Sequence, residues 1–368
     1  MVSEVFFTDL RATNNRSSRV EKVKRLFDDA GLGDCISEKD LTAIKLHFGE
    51  RGSDAFINPI FVRQVVEKVR ENGGKPFLTD SNTLYRGSRH NAVDHLTNAI
   101  EHGFDFSVVK APLIIADGLK SKDVRWVEIG QKYFERVRIA ANIHQADSMI
   151  VMTHFKGHIV GGFGGAVKNL AMGGASAYGK MDQHSVRPEV NEKKCIGCRE
   201  CMEICPVDAH VYENGKVWID KEKCIGCGEC IVVCRQEAIG LDWGSEIEPF
   251  HERMAEYALG TVKDKKGKIG YISFLTRISP ECDCFGWSDY PIVPDIGIVA
   301  SKDPVAIDKA CFDLVNQQIG FKQSSLKSGW EPGEDKFRGL KPQIDSLHTL
   351  KYAEMMGMGS MDYELKKI

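Results

Sequence analysis

Eight of the chain's 12 cysteines fall in two runs that repeat with a period of 29 residues. The first reads Cys195-x2-Cys198-x2-Cys201-x3-Cys205-Pro206, the second Cys224-x2-Cys227-x2-Cys230-x3-Cys234. Three cysteines spaced three apart let one turn aim several thiolates at a single centre. The fourth, further along a short helix, points away toward a second centre. This spacing predicts two [4Fe-4S] clusters with exchanged fourth ligands. Cys195, Cys198, Cys201 and Cys234 are assigned to one, and Cys224, Cys227, Cys230 and Cys205 to the other. Tetrahedral zinc is a poorer match, because zinc sites generally draw their ligands in pairs.

These residues closely resemble bacterial-type two-cluster ferredoxins over roughly residues 190–240. One departure is Arg235, which stands where a second proline is expected. Proline would fix φ and remove a backbone donor. Its loss is expected to free an amide near Cys234 or to place a positive charge there.

The remaining length calls for a larger host. The chain has 368 residues, 42% apolar and 27% charged, with a formal net charge of −3, ordinary values for a globular protein. Such a balance gives no reason to expect nucleic acid as a partner. Arg187 to Asp242 holds eight Lys/Arg against 11 Asp/Glu, and the rest balances at 41 each, so the acidic excess sits in the cysteine-rich segment. That suits docking of a basic redox partner protein. No apolar run of the length of a membrane span is present, and the N-terminal stretch lacks the apolar core of a secretory signal. The cysteine spacing points to metal ligation in a reducing cytoplasm rather than to disulfides.

Outside the insert, β-branched apolar runs alternate with amphipathic stretches. Strands are expected in LTAIKLHFGE (41–50), KPFLTDSN (75–82), ADSMIVMTHFKGH (146–158), GKIGYISFLT (267–276) and at the start of DIGIVASKDPVAIDKACFDLV (295–315). A helix with an early Pro59 follows the first, closed by a glycine pair. The pattern implies an α/β class: a mostly parallel sheet host with an inserted α+β two-cluster ferredoxin-like domain. The expected division is host 1–188, insert 189–243 and host again 244–368. Ligands of open α/β sheets collect at the carboxyl ends of strands. Lys45, His47, Asp80, Ser81, Thr153, His154 and Lys156 all end strands here, which suggests a shared site, although loop ends are polar in any protein.

The segment THFKGHIVGGFGGAVKNLAMGGASAYGKMDQHS (153–185) is rich in glycine but fits neither common phosphate-loop pattern. A plain reading is a flexible loop before a helix starting near Gly165. Against it, Lys156, His158, Lys168, Lys180 and His184 lie among the glycines. Glycine lets backbone approach a ligand closely, so Gly161, Gly162, Gly164 and Gly165 with Lys168 are read as cofactor-binding. His158, Lys168, His184, Lys45 and Lys156 are the candidate catalytic residues.

The segments IKLHFGERG, DSNTLYRGSRHNAVDH, THFKGH…GGFGGAVKNLAMGGAS and CDC resemble the domain-of-unknown-function 362 (DUF362) family of iron–sulfur proteins across nearly the whole chain. GGFGGAVKNLAMGGAS…DQHS is also distantly similar to nickel-pincer lactate racemases. That resemblance implies a cofactor-bearing lysine at Lys168, a nickel ligand at His184 and a proton- or hydride-handling histidine at His158. The racemases' second acid–base histidine has no secure match, His90 being a candidate, which puts racemisation in doubt.

Four cysteines remain. Cys282 and Cys284 would share one side of an extended strand, as part of a third metal site, as a redox pair or as buried small residues. Cys35 and Cys311 read as structural. His95 and His102 read as packing or surface histidines, EMMGMGSM (354–361) as a mobile or partner-packing tail, and KDKKGK (263–268) as a solvated turn. The expected function is an iron–sulfur oxidoreductase. It would pass electrons between an external carrier and a small anionic substrate or cofactor near Lys168, whose hard chemistry that additional metal or organic cofactor would carry. The alternatives are a plain electron-transfer protein, and a pincer-like isomerase with redox-sensing clusters.

Overall fold

The computed structural model describes residues 2–83, 87–184, 188–224, 230, 233–240 and 247–368. One eight-stranded sheet organises the host. Its strands are β1 (Ser3–Asp9), β2 (Leu41–Lys45), β3 (Lys75–Asp80), β4 (Leu113–Ile115), β5 (Ser148–His154), β6 (Ile269–Leu275), β7 (Gly297–Ser301) and β8 (Tyr363–Lys367). They lie in the order β8-β1-β7-β6-β5-β2-β3-β4. Only β7 runs against its neighbours, β1 and β6; every other pairing is parallel. The host is the mostly parallel α/β architecture that the alternation predicts.

β5 and β6 are buried at every position, as expected of central strands covered on both faces. Successive residues serve opposite cores. Ile150 and Met152 of β5 join Ile44, Leu78 and Phe274 under α1 (Arg19–Asp29), α2 (Pro59–Glu71) and α3 (Ala92–Glu101). Met149 and Val151 join Ala43, Tyr271 and Val299 on the other face. That face is covered by α4 (Ala166–Gly174), α6 (Ile247–Val262), α7 (Pro304–Asn316) and α8 (His348–Met355), with α5 (Ala177–His184) following α4. Asn58 caps α2 ahead of Pro59 and Asp303 caps α7 ahead of Pro304, so each helix starts where its sequence places the stop on the preceding loop.

Both terminal segments join the sheet. The N-terminal stretch becomes β1, and in the methionine-rich tail, expected to be mobile or to pack on a partner, Met356, Met358 and Met361 pack on the chain's own core and lead into β8. As an edge strand, β8 carries Lys366 and Lys367, charges that discourage pairing with another chain. The lysine-rich turn is also not simply solvated. Lys265 is buried, and its Nζ donates to the carbonyls of His144 and Ala146 at 2.6 and 2.5 Å.

The cysteine-rich segment has its own small elements. Glu189–Val190 pairs with Ile239–Gly240, and His210–Glu213 pairs with Lys216–Ile219. Its core gathers Cys195, Cys201, Cys230, Val217, Ile219, Ala238 and Ile239.

Candidate functional site

A cleft of about 810 Å³ opens at the carboxyl ends of β2, β3 and β5. Lys45, His47, Asp80, Ser81, His154, Lys156, His158, Gly165, Lys168, Lys180, His184, Cys282 and Cys284 all line it. Six of the seven strand-end residues and the five candidate catalytic residues thus meet in one place; Thr153 is not in the lining, and its Oγ1 accepts from Asn169 Nδ2 at 2.9 Å. The glycines behave differently: Gly165 borders the cleft, while Gly161, Gly162 and Gly164 do not. Rather than a flexible loop, these residues form a hairpin in which Lys156–His158 pairs with Gly162–Gly164. At Gly162, with φ +74°, a Cβ would stand 2.2 Å from Ser346 Oγ, so close packing accounts for that glycine.

Helix α4 supplies one wall. Lys168, Asn169, Met172 and Gly173 sit at helical neighbour spacing and face the cleft. The N-terminus of α4 already has an acceptor. Asp308 of α7 accepts from Ala166 N–H at 2.6 Å and from Val167 N–H at 2.9 Å, and a Cβ on Gly165 would stand within 2.5 Å of that carboxylate. Burial pushes the Asp308 carboxyl up to about 7.

The cleft is strongly cationic, and most of its cations have partners. Lys45 Nζ lies 3.1 Å from Asp80 Oδ1 and donates to Asn169 Oδ1 at 2.5 Å. Burial lowers Lys45, with Asp80 opposing it. Lys180 Nζ donates to Ser81 Oγ, Asn82 O and Ala175 O, and burial brings it down to about 8. Arg89 Nε pairs with Glu50 at 2.8 Å. Lys168 is different: among the described residues no carboxylate pairs with it, and its Nζ rests 3.0 Å from Cys282 Sγ. Burial, reinforced by Lys156, brings Lys168 down to about 7.

The histidines are held as neutral or donating groups. Burial and Lys168 hold His158 well below the usual range, and its Nδ1 accepts from Gly161 N–H at 2.8 Å, which leaves the proton on Nε2. Burial and the two lysines bring His184 to about 4. His47 Nδ1 accepts from Gly49 N–H, and its buried Nε2 has no partner among the described residues. His154 faces acceptors at both nitrogens, the Asp283 carboxylate at 2.8 and 2.9 Å and Thr276 O at 2.9 Å.

Sequence reasoning missed Asp283, the centre of CDC. Burial would raise its carboxyl, but His154 and Lys156, the latter at 3.3 Å, outweigh that and hold it well below the carboxylate range. The motif offers only an acid between two cysteines; the cationic strand end that gives it meaning is about 130 residues away in the chain. Arg89 was also missed. The exposed His90 next to it, a candidate by resemblance, does not line the cleft. His95 is buried against Phe48, and His102 stacks on Phe56. Cys35 and Cys311 are buried, away from the cleft lining. Cys282 and Cys284 are joined as a disulfide.

In the other segment, Cys195, Cys198, Cys201 and Cys234 line one cavity of about 350 Å³, which gathers cysteines from both runs. Burial and the neighbouring thiols of Cys198, Cys234 and Cys195 push Cys201 up to about 11. Cys205 is buried, with Ala209 N–H 3.3 Å from its sulfur; Ala238 N–H stands likewise at Cys234. Cys224 and Cys230 belong to the same small core. Cys227 lies outside the described residues. Arg235 is exposed and lies 3.6 Å from Glu200, so its charge has a carboxylate neighbour. None of the seven described cysteines of the runs is in a disulfide.

Fold and site together define a class: a parallel α/β protein with a buried cationic cleft at its strand ends, interrupted by a cysteine-rich segment. The chain belongs to the DUF362 family, described as a domain of unknown function, whose model matches residues 42–313. A stretch of 27 residues is 52% identical to Ferredoxin-2 of Desulfomicrobium norvegicum, covering 7% of this chain and 46% of that protein. The lactate racemase apoprotein of Thermoanaerobacterium thermosaccharolyticum superposes with a TM-score of 0.40 at 12% identity, over 74% of this chain and 51% of that one. The chain thus spans about half the length of each. Among the described residues no helix is long and apolar enough to cross a membrane.

Proposed function

We propose that this protein is an iron–sulfur oxidoreductase carrying two [4Fe-4S] clusters, working with a redox partner protein on a small anionic substrate or cofactor held in the cleft. The ligand sets are Cys195, Cys198, Cys201 and Cys234 for one cluster and Cys224, Cys227, Cys230 and Cys205 for the other. Bound clusters supply single-electron transfer. The single observation that carries the reading is the cleft, where Lys168 and the His47 Nε2 donor stand without an acidic partner among the described residues, in a buried, cationic setting. Buried donors without a carboxylate favour a ligand that brings negative charge.

In this reading residues 1–188 and 244–368 form one host, and 189–243 the inserted redox segment. Strands from both flanks alternate in the sheet, β5 beside β6 and β1 beside β7, which favours a single host. The chain leaves for the insert at His184 in the cleft wall, and five residue steps, at most ~18 Å of chain, take it to Glu189. It returns through α6, whose Phe250 ring lies 5.2 Å from His184. Lys168, Lys45 and Lys156 neutralise the anion, Lys168 with least competition. His158 offers a proton from Nε2, and neutral His184 accepts one. That none of the seven described cysteines of the two runs is in a disulfide suits a reducing cytoplasm.

The test uses protein purified anaerobically. About eight iron and eight sulfide per chain are expected, with visible absorption that dithionite bleaches. Lys168→Ala and His184→Ala are expected to keep that absorption and lose cellular activity. Stoichiometric zinc without a chromophore refutes the clusters, and full activity in both variants refutes the cleft as the working site.

A further inference from the structure

We infer that Cys282 and Cys284 are a redox-active disulfide at the cleft, taking up an electron pair there, with Lys168 positioned to hold the thiolate that reduction creates. The inference rests on the proposed function only for the source of electrons.

Four observations carry it. The two sulfurs are bonded and both border the cleft, Cys282 buried and Cys284 half-buried, so the second is open to a reductant. None of the seven described cysteines of the two runs is in a disulfide, and a disulfide in such a cysteine-rich chain is more often catalytic or sensing than structural. The bridge joins residues two apart, where chain-entropy stabilisation is least, so it does little for the fold. Finally, the turn is built to be held still. Asp283 between the cysteines is gripped by His154 and Lys156, its carbonyl accepts from Glu50 N–H at 3.0 Å, and Phe285 N–H donates to Cys282 O at 3.2 Å.

Lys168 completes the arrangement. The other cleft cations that flank it, Lys45, Lys156 and Arg89, each have a carboxylate. Lys168 Nζ is instead 3.0 Å from Cys282 Sγ and 3.9 Å from Cys284 Sγ. In the reductive step the S–S bond breaks and the two sulfurs gain two electrons. These come one at a time from two equivalents of a reduced iron–sulfur carrier, or together from a dithiol. Cys284 takes one proton from solvent. Cys282 remains a thiolate beside the Lys168 ammonium, and the carrier or dithiol leaves oxidised. The pair thereby matches single-electron delivery to two-electron chemistry at one site. Its substrate class is an organic disulfide or another two-electron acceptor with an anionic group for the cleft.

The experiment equilibrates the full-length protein anaerobically in dithiothreitol redox buffers, traps thiols with iodoacetamide and weighs the tryptic peptide Ile278–Lys302. A reversible passage from no label to two labels on that peptide is expected. Lys168→Gln is expected to shift the midpoint ratio about tenfold toward the disulfide, by loss of one charge-assisted contact. Lys168→Arg keeps the charge and is expected to restore most of the shift. Two labels under every oxidising buffer, or a midpoint unmoved in Lys168→Gln, overturn the inference. Cluster absorption recorded on the same samples separates the readings. An inert cysteine pair beside bleachable clusters defeats this inference alone, whereas a responsive pair without the chromophore defeats the cluster assignment alone.

Discussion

Removing the Asp283 side chain tests the electrostatic design of the cleft. The carboxylate is buried, accepts from His154 Nδ1 at 2.8 and 2.9 Å, and lies 3.3 Å from Lys156 Nζ. Asp283→Ala leaves the His154 ring and the Lys156 ammonium buried without the carboxylate both contact, near Lys45, Lys168 and Arg89. Breaking a buried pair in this way costs about 3–5 kcal/mol. Asp283→Asn keeps the volume and one acceptor, and about 1.5–3 kcal/mol is expected for the lost charge-assisted bond. Urea unfolding followed by circular dichroism reads both. The pH dependence sharpens the test. The folded carboxyl lies well below its unfolded value, so its stabilisation is fully present above about pH 4 and declines as pH falls toward the depressed folded value. The gap between wild type and Asp283→Asn therefore narrows on acidification from about pH 4. A loss below about 1 kcal/mol in Asp283→Ala, or a gap unchanged down to about pH 3, refutes the reasoning.

Asp308→Ala orphans the Ala166 and Val167 amides and is expected to cost at least about 2 kcal/mol in the same assay. Because burial holds the folded Asp308 acid near 7, above its unfolded value, stability falls as pH rises from about 4 to about 7, and Asp308→Asn removes that slope. Cys234→Ser is expected to eliminate the cluster held by Cys195, Cys198 and Cys201 and to leave about four iron per chain on the other. Loss of the cluster held by Cys224 and Cys230 instead, seen by Mössbauer spectroscopy on singly substituted proteins, speaks against exchanged ligands. With Lys168 near 7, oxalate binding followed by calorimetry is expected to weaken as pH rises through that value. The step disappears in Lys168→Gln, and a flat profile in wild type rejects Lys168 as the anion's partner.

Much of the host could be read from residue order, because strand and helix periods are local. β2, β3, β5 and β6 fall where their apolar runs lie, and Pro59 and Pro304 open helices as their fixed φ requires. What escaped depends on partners distant in the chain. β1 and β8 carry charged residues typical of exposed segments and become strands only by pairing with each other and with β7. Lys265 looks solvated in a lysine-rich run, yet carbonyls of the Ala141–Gln145 region take it inside. At the site, strand-end logic brought Lys45, Asp80, His154 and Lys156 together, whereas Asp283 gains meaning only when β5 and the loop after β6 are seen side by side. The glycines illustrate the converse: their density suggested an external ligand, but Gly162 accommodates Ser346 and Gly165 accommodates Asp308.

That last pairing has a consequence for how the glycine-rich signature should be interpreted. An open helix start attracts phosphate groups, but here the chain supplies its own acid from a helix about 140 residues away. The berth is taken before any guest arrives. A nucleotide would have to evict an internal acceptor, so the motif works as a clasp between two distant segments, and chemistry in the neighbouring cavity is free to vary without loosening it.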